Sequence, residues 1–107
     1  MKTKSGSSEP MAVDIDRMIH EPARLKLLAQ LYVVESADFI FLMRQTGLTQ
    51  GNVSGHLTKL EDAEYVEIEK GYAGKRPQTI ISLTKKGRKA FKKYIQSMQQ
   101  VFDGLID

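Results

Sequence analysis

Apolar residues change their spacing twice along this chain, and that alternation restricts the possible folds more than any other feature. From Leu25 to Leu60 they recur every three to four residues, the repeat of helices with one buried face. At Val66 and Ile68 they alternate with Glu67 and Glu69, the repeat of a half-buried strand. From Phe91 onward the helical spacing returns. With 107 residues the chain is long enough for one compact domain, so these elements must share a single core.

The boundaries follow from local chemistry. Residues 1–11 are mostly small and polar, so residues 1–13 read as a flexible leader and the domain is expected over 14–107. Ile15, Met18 and Ile19 suggest a short helical stripe capped by Asp14. Pro22 suits the first turn of a new helix, where its missing N–H costs little. Leu25, Leu28, Ala29 and Tyr32, widened by Leu27, Leu31 and Val34, predict a helix enclosed by its neighbours. Ser36 reads as the cap of the next helix, with Phe39, Leu42 and Met43 on one face. Gly47 closes that helix in a left-handed conformation, Leu48 plugs the turn, and Thr49 caps a third helix held by Val53, Leu57 and Leu60.

Two strands follow, Val66 onward and Gln78 to Leu83, joined by a glycine-rich basic loop over residues 71–77. Thr84 caps a last helix over residues 84–106, about 33 Å long for about 22 residues. The fold class is therefore mainly α with a small β-hairpin (α+β): a winged helix-turn-helix with a long C-terminal dimerisation helix.

Two helices joined by a short glycine-containing turn can lay the second across the DNA major groove, which is about 12 Å wide and admits one helix. With Val53, Leu57 and Leu60 facing inward, Gln50, Asn52, Ser54, His56 and Lys59 are expected outward. These side chains suit base edges or phosphates, and the free N–H groups near Thr49 and Gln50 suit a phosphate. For His56, helix packing and a phosphate contact both remain open. A hairpin tip carrying Lys75 and Arg76 does little for a core and much for a backbone or narrow minor groove. Lys70 and Tyr72 add a phosphate contact and a stacking face. Gly51 and Gly55 share a face of the third helix at some cost in helix stability; close approach to DNA or another helix, and simple tolerance, are both open readings.

The last helix presents Phe91, Tyr94, Ile95, Met98, Phe102 and Leu105 at spacings of three and four. So small a domain has little core to cover this stripe, and a second copy would bury it in a two-fold dimer; packing on the first helix of the same chain is the alternative. A dimer groove lined by Tyr94, Met98 and Phe102 could hold a small apolar effector of unknown identity, although ordinary dimer packing is the favoured reading of these residues.

Charge agrees with a polyanionic partner. Residues 1–64 carry a net −2 and residues 65–107 a net +5. Other functions find little support. The chain has no cysteine, which removes disulfides, thiolate metal ligands and cysteine nucleophiles. Its two histidines, His20 and His56, are far apart in sequence, so no metal site and no cofactor is expected. No nucleophile–base pair or phosphate loop is visible, and Glu61 and Asp62 diverge on their helix, so no enzyme is expected. No apolar run approaches the roughly 20 residues that span a bilayer, and Met1 to Pro10 lacks the apolar segment of a signal peptide, so a cytoplasmic location is expected. A winged-helix module that docks on protein alone would use the same surfaces, and the basic wing weighs against it.

Several stretches together resemble the winged helix-turn-helix regulators of the ArsR/MarR type, especially the compact single-domain group. They are His20 to Leu25, Asp38 to Leu42, Leu48 to Leu57, Leu60 to Val66 and Leu83 to Arg88. The resemblance covers about Asp14 to Tyr94. It implies a prokaryotic, dimeric transcription factor that binds double-stranded DNA with helix 49–63 in the major groove and loop 71–77 as the wing. It also places Gln50, Asn52, Ser54 and His56 toward DNA, with Lys75 and Arg76 at the wing tip. Position 55, often basic in such proteins, is glycine here. The cysteine motifs of the metal-sensing branch are absent, so metal sensing is not implied.

Overall fold

The computed structural model describes residues 13–105. The expected leader lies outside the described residues except for Val13. Four helices and three strands follow in the order α1 (Pro22–Val34), β1 (Ser36–Asp38), α2 (Phe39–Thr46), α3 (Gln50–Asp62), β2 (Val66–Ala73), β3 (Arg76–Leu83) and α4 (Lys85–Asp103). The strands form one antiparallel sheet in the order β1-β3-β2.

The chain enters through a single turn rather than the expected helical stripe. Asp16, not Asp14, organises it: its Oδ1 accepts the Met18 N–H at 2.9 Å, and its carbonyl accepts the His20 N–H at 2.9 Å. Pro22 then opens α1 as expected, with the Glu21 carboxylate accepting the Arg24 N–H at 2.8 Å. That bond, the first of several causes, holds the Glu21 carboxyl below its ordinary pKa.

The core gathers Ile19, Leu27, Leu28 and Leu31 with Leu42, Val53, Leu57 and Leu60 of the next two helices. Val66, Ile81, Phe91 and Tyr94 close it from the sheet and α4. Ten of the side chains are at most 2% exposed, so this is one continuous apolar interior. Of the expected α1 stripe, Leu27 and Leu31 are fully buried, but Val34 is 40% exposed.

Ser36 is not a helix cap. It begins β1, which pairs Ser36 to Asp38 with Ser82 to Ile80, and Asp38 caps α2 by accepting the Phe41 N–H at 2.7 Å. Both residue types cap helices. The partner strand decides between them, because pairing with β3 keeps residues 36–38 extended.

At the end of α3 the chain reverses without glycine. Glu64 takes a φ of 66°, the Tyr65 N–H returns to the Leu60 carbonyl at 2.9 Å, and the Glu64 N–H returns to Glu61 at 2.8 Å. This pair of bonds closes the helix end as a Schellman motif. The Tyr65 hydroxyl donates to the Asp16 carboxylate, tying the entry turn to the start of the sheet. Burial, together with this bond and the Asp16 charge, pushes the Tyr65 pKa up to about 12.

Helix α4 is shorter than expected. It ends at Asp103, with Gly104 as its cap, and leaves Leu105 beyond the helix. Thr84 caps its start, accepting the Gly87 N–H at 2.8 Å. Among the described residues no helix is long and apolar enough to cross a membrane.

Candidate nucleic-acid interface

The turn between α2 and α3 is built from side chains that leave the backbone no slack. Gly47 has a φ of 72°, and its N–H returns to the Met43 carbonyl at 3.0 Å. Thr46 Oγ1 donates to the Leu42 carbonyl at 2.7 Å, and Leu48 packs against the core. Thr49 Oγ1 then accepts the Asn52 N–H at 3.2 Å and starts α3. Three residues, Gly47 to Thr49, thus set the angle at which α3 leaves the body.

Val53, Leu57 and Leu60 anchor α3 inward. At about 100° per residue, the remaining positions fall into two flanks and a ridge rather than one polar face. Gln50 and Ser54, with Thr58 and Glu61, lie on the side of the β2–β3 ribbon. Asn52, His56 and Lys59 lie on the α1 side. The crest farthest from the core carries Gly51 and Gly55, where an added Cβ would meet nothing within 4 Å. Thr49, Gln50, Asn52, Ser54 and Lys59 are all exposed.

His56 departs from the expected pattern. Its side chain is 23% exposed, its Nδ1 stands 3.3 Å from Arg24 Nη1, and a Glu21 carboxylate oxygen is 3.8 Å from the same nitrogen. Arg24 is itself held by donating Nε–H to the Met18 carbonyl at 2.6 Å. The imidazole therefore docks α3 on the beginning of α1 through Nδ1. Of the two readings left open by sequence, helix packing describes this geometry.

The wing is a ribbon more than a loop. Strand pairing continues through Tyr72 with Pro77 and Ala73 with Arg76, so the connecting loop expected over 71–77 shrinks to Gly74 and Lys75. Gly74 has a φ of 67°, which places glycine first in a two-residue hairpin turn. Lys70, Tyr72, Lys75 and Arg76 are exposed, Tyr72 to 75%. Lys70 and Tyr72 continue the face that begins with Val66 and Ile68; Arg76 pairs with Ala73 at the tip, and Lys70, Ala73 and Arg76 all line the side turned to α3.

Between ribbon and α3 runs a groove of about 1100 Å³. Its floor is apolar, with Phe39, Ile40, Met43 and Ile68, and its rims carry Gln50, Ser54, Thr58, Arg44, Lys70 and Arg76 together with the carboxylates of Asp38 and Glu61. Six polar residues that line the groove, Asp38, Arg44, Thr58, Glu61, Gln78 and Thr79, were missed by sequence reasoning. Thr58 continues the Gln50–Ser54 spacing by four and was legible from it. Arg44, at the end of α2, carried no such signal.

On α4 the expected interface residues divide. Phe91 and Tyr94 are buried in the chain's own core, Phe91 against the Tyr32 ring at 5.2 Å and Tyr94 with its hydroxyl 2.9 Å from His20 Nδ1. Met98 is half-buried, whereas Ile95, Phe102 and Leu105 are 36%, 52% and 74% exposed. Because Tyr94 is covered, it does not line an open groove with Met98 and Phe102.

Comparison with known proteins agrees with this fold. A family model described as a winged helix DNA-binding domain matches residues 23–102. An uncharacterised protein of Methanocaldococcus jannaschii is 41% identical over 85 residues, covering 79% of this chain and 92% of that protein. The structure of a transcriptional regulator homologue from Pyrococcus horikoshii superposes with a TM-score of 0.81 at 29% identity, covering 86% of this chain and 91% of that one. A MarR-family regulator from Silicibacter pomeroyi shares the fold, with a TM-score of 0.65 at 20% identity over 84% of this chain and 60% of that one. The chain belongs to the winged helix DNA-binding domain family.

Proposed function

We propose that this protein is a transcriptional regulator that grips duplex DNA as a homodimer. Helix α3 enters the major groove, and the tip of the β2–β3 ribbon reaches the adjoining backbone or minor groove. The observation that carries this reading is the juxtaposition of α3 with the ribbon: Gln50, Ser54 and Thr58 share one groove with Lys70 and Arg76. Phosphates at the ribbon side of that groove meet Lys70 and Arg76, away from the carboxylates of Asp38 and Glu61 on the helical side, while side chains on α3 reach base edges. The bare crest at Gly51 and Gly55 lets the helix backbone come closer to the bases than side chains would allow. Recognition then falls to Gln50, Ser54 and Thr58 on one flank and to Asn52 and Lys59 on the other.

Exposed Ile95, Phe102 and Leu105 support the dimer, since a second copy would remove them from water. Two-fold symmetry leads to a pseudo-palindromic site with half-sites about one helical turn apart. Selection of bound duplexes from random DNA, alongside the mass of the free protein, tests this directly. A paired motif and a mass of twice the chain support the proposal. Failure to bind any duplex at low salt refutes it.

A further inference from the structure

The start of α4 carries a concentration of charge that DNA recognition by α3 leaves unused. Five lysines, Lys85, Lys86, Lys89, Lys92 and Lys93, fall within nine residues and all are exposed. Only Lys86 has an acidic partner among the described residues, Glu64 at 3.3 Å. The arrangement works against the helix. No acid occupies the first turn, so Lys85 and Lys86 sit where the helix dipole disfavours cations. Lys85 with Lys89 and Lys89 with Lys93 are like charges four residues apart, which repel.

At about 100° per residue, Lys85, Lys89 and Lys92 project opposite Gly87, Phe91 and Tyr94. From Lys85 to Lys93 the ridge runs about 12 Å along the axis, the rise of three to four nucleotides on one strand. It is not continuous with the recognition face. Glu64, Glu67 and Glu69 line the groove that leads from the end of α3 to Lys85 and Lys86. One duplex covering both surfaces would have to press phosphates on those carboxylates. Nor does the ridge suit a membrane surface. An interfacial helix must insert its apolar face, and here Phe91 and Tyr94 are buried in the chain's own core.

We propose that the lysine ridge of α4 is a second, sequence-independent contact for duplex phosphates, which holds a stretch of DNA other than the one bound by α3. This goes beyond the reading of α3 and uses none of its residues. The test is capture of a labelled random-sequence duplex by protein already held on a bead-bound duplex, each about three helical turns long. The variant is K85Q/K89Q/K92Q/K93Q, in which glutamine keeps helix propensity and removes only charge. Circular dichroism is the control for its folding.

The variant is expected to lose at least tenfold in second-duplex capture, with the salt slope of capture shallower by about 3–4, and to hold the first duplex within about twofold of wild type. In K75A/R76A, which weakens the wing, binding that depends on the ridge is expected to remain. Undiminished capture by the lysine variant overturns the proposal. Equal loss of both duplexes does so too, because it makes the ridge part of the α3 interface. Lysine-dependent binding to phosphatidylglycerol vesicles without second-duplex capture, or complete loss of binding in K75A/R76A, also overturns it.

Discussion

Gly87 packs its Cα directly against the backbone of Tyr65. A methyl group at position 87 would fall inside the van der Waals contact of the Tyr65 carbonyl oxygen and 2.9 Å from its carbon, with Leu83 Cδ1 at 3.0 Å. The same carbonyl accepts the Thr84 N–H at 3.1 Å, so one peptide group both anchors and crowds the start of α4. Gly87→Ala is expected to destabilise the fold by about 1–3 kcal/mol, the usual cost of forcing volume into a packed site. Urea unfolding measures it; a stability equal to wild type would show that α4 is free to shift.

Glycines on the α3 crest predict the opposite. Gly51 and Gly55 have open space where a Cβ would stand. Gly55→Ala is expected to raise stability by about 1 kcal/mol through helix propensity alone. If the crest approaches DNA closely, the same change lowers affinity, so stability and binding move in opposite directions. A variant that gains stability and binds as well as wild type removes the close-approach account.

The raised pKa of Tyr65 gives a pH prediction with a definite sign. An unfolded chain loses this phenolic proton near its ordinary value of 10, whereas the folded chain keeps it to about 12. Between those values the unfolded state binds fewer protons, so stability falls as pH rises. In Tyr65→Phe that component of the alkaline loss disappears. At neutral pH the variant is expected to be less stable by about 1.5 kcal/mol for the lost bond to Asp16. Urea midpoints across the alkaline range test this; an unchanged alkaline slope in the variant contradicts it.

Side chains of the interface are expected to separate by role. Arg76→Ala should weaken binding to all duplexes alike and reduce the salt slope by about 1. Asn52→Ala and Gln50→Ala should change which base is preferred, by about 1–3 kcal/mol at the affected position. His56→Ala should lower stability without shifting preference, because its ring faces Arg24 and Glu21. Competition binding with single-base variants of a selected site distinguishes the three. A changed preference in His56→Ala would place its ring on DNA.

Much of this architecture is written in local patterns. Gly47, Thr49 and the trio Val53, Leu57 and Leu60 act within one turn or one helix face, so spacing alone finds them. Tertiary choices are less legible. Ser36, Ala37 and Asp38 have no strand pattern, and they are extended because β3 pairs with them. Glycines around the wing suggested a long loop, but cross-strand pairing consumes all of it except Gly74 and Lys75. Glu64 takes a left-handed conformation without being glycine, which no propensity announces. His56 lies on the polar part of α3, yet the distant Arg24 claims it. Phe91 and Tyr94 share a stripe with Phe102, but the core reaches only the first two.

The central claim is that α3 occupies the major groove while the ribbon tip grips beside it. Methylation protection of guanine N7 on a selected duplex reads that groove directly. The account predicts two patches of protection about one helical turn apart, lost from both half-sites when Gln50 and Asn52 are replaced together. Tight binding with guanine N7 fully open to methylation at both half-sites would contradict it.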